Sequence, residues 1–90
     1  MKPIRATNYC EGRIAARKLN RELVDKVIRS PEQIVPDADD PKRQIHQSRF
    51  LDDKGKEKLL RVVVEEKEAE IIAVTVYAVS QVKRYWKDAP

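Results

Sequence analysis

Two β-branched runs separated by a charged turn constrain this chain more than any other feature. Lys58 to Glu65 and Glu70 to Val79 flank Glu66-Lys67-Glu68-Ala69. Runs of Val, Ile, Leu and Thr of this length, bounded by polar residues, form a β-hairpin, and their apolar density places both strands near the centre of a sheet. A chain of 90 residues supports one hydrophobic interior, so everything else must pack against that hairpin. A single domain over residues 1–90 is therefore expected.

The remaining segments divide into helices first and strands afterwards. Ile4 to Thr7 alternates as a short leading strand, and Tyr9 to Lys18 sets Ile14, Ala15 and Ala16 among charged residues in a helical pattern. Asn20 offers a side-chain oxygen to the free N–H groups of a second helix, whose Leu23, Val24, Val27 and Ile28 form one apolar stripe. Pro31 ends it, because its ring disfavours helical geometry in Ser30 and it has no N–H to donate. Glu32 to Val35 then enters the sheet, Pro36 to Pro41 makes an acidic turn, and Arg43 to Leu51 is the next strand. Ile45 and Phe50 fall on opposite faces of that strand, for which a bulge is expected. The loop Asp52 to Lys56 contains Gly55, which can take positive φ. Gln81 to Lys87 fits one helical turn capped by Ser80, with Val82 and Trp86 at i and i+4. This order excludes an alternating βαβ architecture. The expected fold is α+β: two short N-terminal helices on one face of a twisted antiparallel sheet of four to five strands.

Several chemistries are excluded by what the chain lacks. Two glycines cannot build a phosphate-cradling loop, and one histidine yields no readable catalytic grouping. His46, without a second histidine or nearby cysteine, makes no conventional metal site; it is either a half-buried structural residue or a contact or catalytic group. Lone Cys10 reads as a small packing residue in a reducing compartment, and neither a metal nor a cofactor is expected. Glu65, Glu66, Glu68 and Glu70 read as solvated turn charges. The longest uncharged stretch, Ile71 to Val82, is 12 residues and too polar to cross a bilayer, so no membrane partner is expected. The opening Met1-Lys2-Pro3-Ile4-Arg5 has no apolar leader, which makes the cytoplasm the expected location.

Charge is unevenly spread. Residues 1–30 hold eight Lys or Arg against three acids, a local excess of +5 in a chain of net +4. Such an excess suits an anionic partner, RNA or an acidic peptide, and equally suits a solvated helix face. Arg13 and Arg17 are the RNA-binding candidates there, with Lys83 and Trp86 near the C-terminus. Arg49 and Arg61 lie inside strands, with Tyr77 and Lys83-Arg84-Tyr85-Trp86 following. Arginines and aromatic rings on one sheet face can hold phosphates and stack bases, and the same rings can also close the edge of a small core.

With these residues in view, the chain resembles a family of small bacterial domains termed domain of unknown function 4258. The likeness runs through Arg13-Ile14-Ala15-Ala16-Arg17-Lys18-Leu19, Ser30-Pro31-Glu32-Gln33, Ile45 to Phe50, Leu59 to Glu66, and Thr75-Val76-Tyr77 through Lys83-Arg84-Tyr85-Trp86. Such domains are similar to RelE- and BrnT-type toxins, which inhibit translation by cutting RNA and are silenced by an antitoxin protein. The resemblance implies a RelE-like fold, metal-independent RNA chemistry, RNA or the ribosome as target, and an antitoxin as partner. It makes Arg49, Arg61, Tyr77 and Arg84 the catalytic candidates, to which His46 is added on its own reading as a contact or catalytic group. Two positions depart from the family pattern: Tyr9 stands where a histidine is frequent, and Lys18 where a glycine is. Tyrosine is a poor base near neutral pH, which implies lost activity if that histidine is catalytic. The lysine implies that the helix end is rebuilt to avoid positive φ. The rival reading is a non-enzymatic module that receives an acidic partner strand or helix.

Overall fold

The computed structural model describes residues 1–88 as β1 (Ile4–Ala6), α1 (Asn8–Ala16), α2 (Arg21–Arg29), β2 (Gln33–Pro36), β3 (Gln44–Leu51), β4 (Glu57–Glu66), β5 (Ile71–Val79) and α3 (Val82–Tyr85). The five strands form one open sheet in the order β1-β5-β4-β3-β2. The α+β class and the strand number match expectation. The sheet, however, is mixed and not wholly antiparallel: β2 to β5 form an antiparallel meander, whereas β1 pairs parallel with β5, Ile4 opposite Ile71 and Ala6 opposite Ala73. Both edges of β4 are taken by its meander neighbours, so the first strand finds its place on the outer edge of β5. Lys2 to Glu66 at 2.9 Å and Arg5 to Glu70 at 3.0 Å fix it there.

Alternation along β4 explains the layers. Leu60, Val62 and Val64 face α1 and α2 and join Cys10, Ile14, Val24, Val27, Ile28, Ala73 and Val76 in the main core. Each fully buried aliphatic side chain contributes about 1.5–3 kcal/mol. The other parity, Leu59, Arg61 and Val63, points to the opposite face, where Val63 meets Val35, Ile45, Val74 and Tyr77 in a smaller cluster. Both faces of the central strands are thus covered, which is why β4 reads as a nearly continuous apolar run.

This also corrects the expected bulge. β3 pairs with β4 without interruption from Gln44 opposite Val64 to Leu51 opposite Glu57. Ile45 and Phe50 lie on opposite faces because each face has its own cluster to fill. The irregularity lies in β5: Val63 opposes Thr75 while Val64 opposes Ala73, leaving Val74 as the extra residue.

The helices begin and end for local reasons. The Thr7 side chain accepts from the Cys10 N–H, and Asn20 Oδ1 accepts from the N–H groups of Glu22 and Leu23. At the end of α1, Leu19 N–H donates to the Ile14 carbonyl and Lys18 N–H to that of Ala15. These are the two bonds of a Schellman cap, and they put Lys18 at φ 52°. The turn is therefore not rebuilt; lysine occupies the left-handed position. The short α3 has Gln81 at its cap position with no side-chain bond, so Ser80 does not cap it. Its anchorage comes from the sheet below.

Candidate functional site

The open face of the sheet carries one continuous polar row. Gln33 on β2 opposes Gln47 on β3, Gln47 opposes Arg61 on β4, and Arg61 opposes Tyr77 on β5. Strand neighbours at this spacing meet directly, and these four are hydrogen-bonded in sequence. Gln47 Nε2 donates to Gln33 Oε1 at 2.8 Å, Arg61 Nε donates to Gln47 Oε1 at 2.9 Å, and Arg61 Nη1 donates to the Tyr77 hydroxyl oxygen at 2.7 Å.

The C-terminal segment forms a strap over this row. Gln47 Nε2 also donates to the Tyr85 carbonyl at 3.0 Å, and Lys87 N–H donates to Gln33 Oε1 at 3.0 Å. The Arg61 guanidinium lies 4.5 Å from the Tyr85 ring centroid and 5.5 Å from that of Tyr77, within the range of cation–π attraction. Beside it, Arg49 stacks 4.5 Å from the Trp86 ring.

Arg61 is 8% exposed. A guanidinium stays protonated at any physiological pH, and among the described residues Arg61 has no carboxylate partner. It is held by a neutral amide, a phenol and aromatic faces alone. Arg49 is the opposite case. Its guanidinium meets Glu32 through Nη2 at 2.9 Å and Nε at 3.3 Å, and its own N–H also donates to Glu32. The Arg49 side chain, ahead of its backbone N–H, holds the Glu32 carboxyl below the usual carboxylate range.

The structure therefore brings Arg49, Arg61 and Tyr77 to one face, with Trp86 over Arg49 and exposed Lys83 and Arg84 on the strap. Arg84 lies 5.7 Å from the Tyr85 ring. His46 does not join them. Its strand parity turns it toward α2, where it is 7% exposed and its Nδ1 lies 2.8 Å from the Ile28 carbonyl, so Nδ1 carries the proton and donates. Its Nε2 is buried without a partner among the described residues. As a catalytic candidate sharing a site with Arg61, His46 is on the wrong side of the sheet. Arg13 and Arg17 are also elsewhere, lining a cleft on the helix side beside the α1–α2 junction. Tyr9 is exposed on α1, apart from the row.

Gln33 and Gln47 are central to the site and were missed by sequence reasoning, because an amide within a strand carries no charge or motif signal; Tyr85 stood in the basic-aromatic segment already singled out. Among the described residues, no three His, Cys, Asp or Glu side chains are grouped to hold a metal ion, and no helix is long and apolar enough to cross a membrane. Comparisons with protein-family models, with curated proteins and with solved structures found no match for this chain.

Proposed function

We propose that this chain is an RNA-binding domain of the toxin type, receiving the phosphate backbone on the open sheet face and its C-terminal strap. One observation carries the reading: Arg61 is a buried cation with no counter-charge among the described residues. A buried charge is costly unless an opposite charge shares its field, and a phosphate is the ligand whose geometry best fits a guanidinium. Two of the five Arg61 N–H groups have named acceptors, which leaves three donors for an anion.

Around that centre, Lys83 and Arg84 are exposed cations, and the Tyr85 and Trp86 rings are half-buried stacking surfaces. Arg49 is neutralised by Glu32 and serves to hold Trp86. RNA, free or on the ribosome, is the proposed partner, and an antitoxin protein would act by covering this face. Metal-independent cleavage would need a base for the 2′-hydroxyl and stabilisation of the phosphorane. Arg61, Arg84 and Tyr77 supply cationic and phenolic donors, but no imidazole stands among them. Binding is accordingly the stronger part of the reading.

The test is fluorescence anisotropy with labelled structured and single-stranded RNA over a salt series, comparing wild type with Lys83→Ala, Arg84→Ala and Arg61→Leu. Affinity should fall linearly with log salt, and each variant that removes a phosphate contact should reduce the slope by about one. Wild-type binding that is absent at low salt, or identical in all three variants, overturns the proposal. Incubation with ribosomes addresses cleavage, with intact RNA after hours speaking for binding alone.

A second reading has its own support. β1 covers β5 only from Ile71 to Ala73, so no strand among the described residues pairs with the outer edge of Val76–Val79. An incoming partner strand could extend the sheet there, and a pull-down lost on Ala78→Pro would favour it.

A further inference from the structure

We propose that the cleft beside the α1–α2 junction is a nucleotide site, with the phosphate held by cations from two walls and the base laid on an apolar floor. The cleft measures about 720 Å³, inside the range of about 300–1,000 Å³ typical of small-molecule sites. Arg13 and Arg17 come from α1, Lys18 from the turn that follows, and Lys54 from the β3–β4 turn opposite. None of these four has an ion-pair partner among the described residues. Asp52 and Asp53 also line the cleft, but Asp52 is occupied by the N–H groups of Lys54 and Lys56 and by the Lys58 ammonium at 3.3 Å.

Helix-end electrostatics accounts for basic residues in the last turn of α1. It does not account for Lys54, which belongs to another element. Two further observations point to a ligand. Arg13 Nε is buried with no acceptor among the described residues, and a buried donor left unpaired is costly enough to call for a physical account, which an anion drawn to the Arg13 guanidinium supplies. Lys18 holds φ 52°, a conformation in which glycine is unstrained and lysine is not. The chain keeps a strained residue on the lining of the cleft.

Leu19, Leu23 and Phe50 supply the floor, all half-buried and packed against the main core. A bare phosphate would leave them wet. A nucleotide satisfies the cations and covers the floor together, and it could be a free mononucleotide or one unit of an RNA strand.

The site shares Tyr77 with the polar row, whereas Gln33, Gln47 and Arg61 lie outside it, so Arg61→Leu separates this proposal from the open-face one. Amide chemical-shift titration of the full chain with AMP, inorganic phosphate and a short oligoadenylate tests it. AMP is expected to move the amides of residues 13–23 and 52–56, and phosphate to bind about tenfold more weakly. Arg17→Glu combined with Lys54→Glu, both exposed, should weaken AMP at least about tenfold while lowering the thermal midpoint only by the few degrees that a reversed charge at the end of α1 costs. Lys18→Gly, which should fold more stably, should weaken it as well; Arg61→Leu should not. Shifts from AMP alone assign a free nucleotide, and tighter binding of oligoadenylate at the same amides assigns a strand. Silence at these amides with both ligands at millimolar concentration, unchanged affinity in the charge-reversal variant, or phosphate binding as tightly as AMP overturns the proposal.

Discussion

Replacing Lys18 by glycine should stabilise this protein, although it removes a side chain and adds none. The residue sits at φ 52° between the two hydrogen bonds that close α1. An L side chain in the left-handed region costs about 1–2 kcal/mol, because Cβ crowds the following carbonyl. Glycine escapes that cost but enlarges the unfolded ensemble, which takes back about 0.4–1 kcal/mol. Lys18 is exposed, so no packing is lost. Removing its charge from the carboxyl end of α1 costs a further few tenths of a kcal/mol. The balance centres on a gain of about 0.5 kcal/mol, or roughly 2–4 °C in midpoint for a domain of this size.

The control is Lys18→Ala, which keeps Cβ and its strain while discarding the charge. Thermal and urea unfolding followed by far-ultraviolet circular dichroism should rank glycine above lysine, and lysine at or slightly above alanine. If glycine and alanine behave alike, strain at this position is not the operative cost and the argument fails. The same variant carries a functional consequence. A stabilising change that also weakens nucleotide binding is the trade expected where strain is maintained for a ligand.

Two other outcomes follow from the polar row and the surface carboxylates. Gln47→Leu removes the amide that accepts from Arg61 and donates to Gln33 and Tyr85; leaving a buried guanidinium N–H unpaired should cost about 2–4 kcal/mol. Trp86, the single tryptophan, should then become more accessible to acrylamide before global unfolding; a cost below about 0.5 kcal/mol with unchanged quenching would refute the coupling between row and strap. Stability should also fall in acid. Glu32, Glu65, Glu66 and Glu70 are held below the usual carboxylate range chiefly by hydrogen bonds from Arg49, Lys67, Lys2 and Arg5, and Asp52 chiefly by the Lys56 N–H. A depressed carboxyl contributes stability that is present above its unfolded value and lost as pH falls through the folded one, so the urea midpoint should be flat above about pH 5 and decline below about pH 4. Salt near 1 M should shrink that decline, because the pairs are exposed; a midpoint unchanged from pH 7 to 3 would refute it.

What the sequence disclosed, and what it withheld, follows from the range of the interactions involved. The Asn20 cap, the stop at Pro31 and the central hairpin are local and were legible from residue types within a few positions. The parallel pairing of β1 was not, because three residues carry no information about a partner nearly seventy positions away. The failed expectation at Lys18 has a similar origin: the Schellman bonds and the seat of Leu19 against the core outweigh the preference of one residue.

The polar row is an intermediate case, and it was recoverable. Its cross-strand pairs are centred on residue 40, residue 54 and residue 69, and each centre falls within a turn visible in the sequence. Reflecting Arg61 through the second and third turns yields Gln47 and Tyr77, and reflecting Gln47 through the first yields Gln33. Antiparallel register is fixed by turn position, so three turns already define which side chains share a row. Sequence reasoning reached Arg61 and Tyr77 but not Gln33 and Gln47, because it ranked residues by charge and aromaticity. In a sheet, the group that decides what a buried arginine can do is whichever residue stands opposite it, here a glutamine on one side and a tyrosine on the other. Had either been a carboxylate, the positive charge would be neutralised within the fold, as Glu32 neutralises Arg49. The neutral neighbours are what leave Arg61 available to an anion from outside.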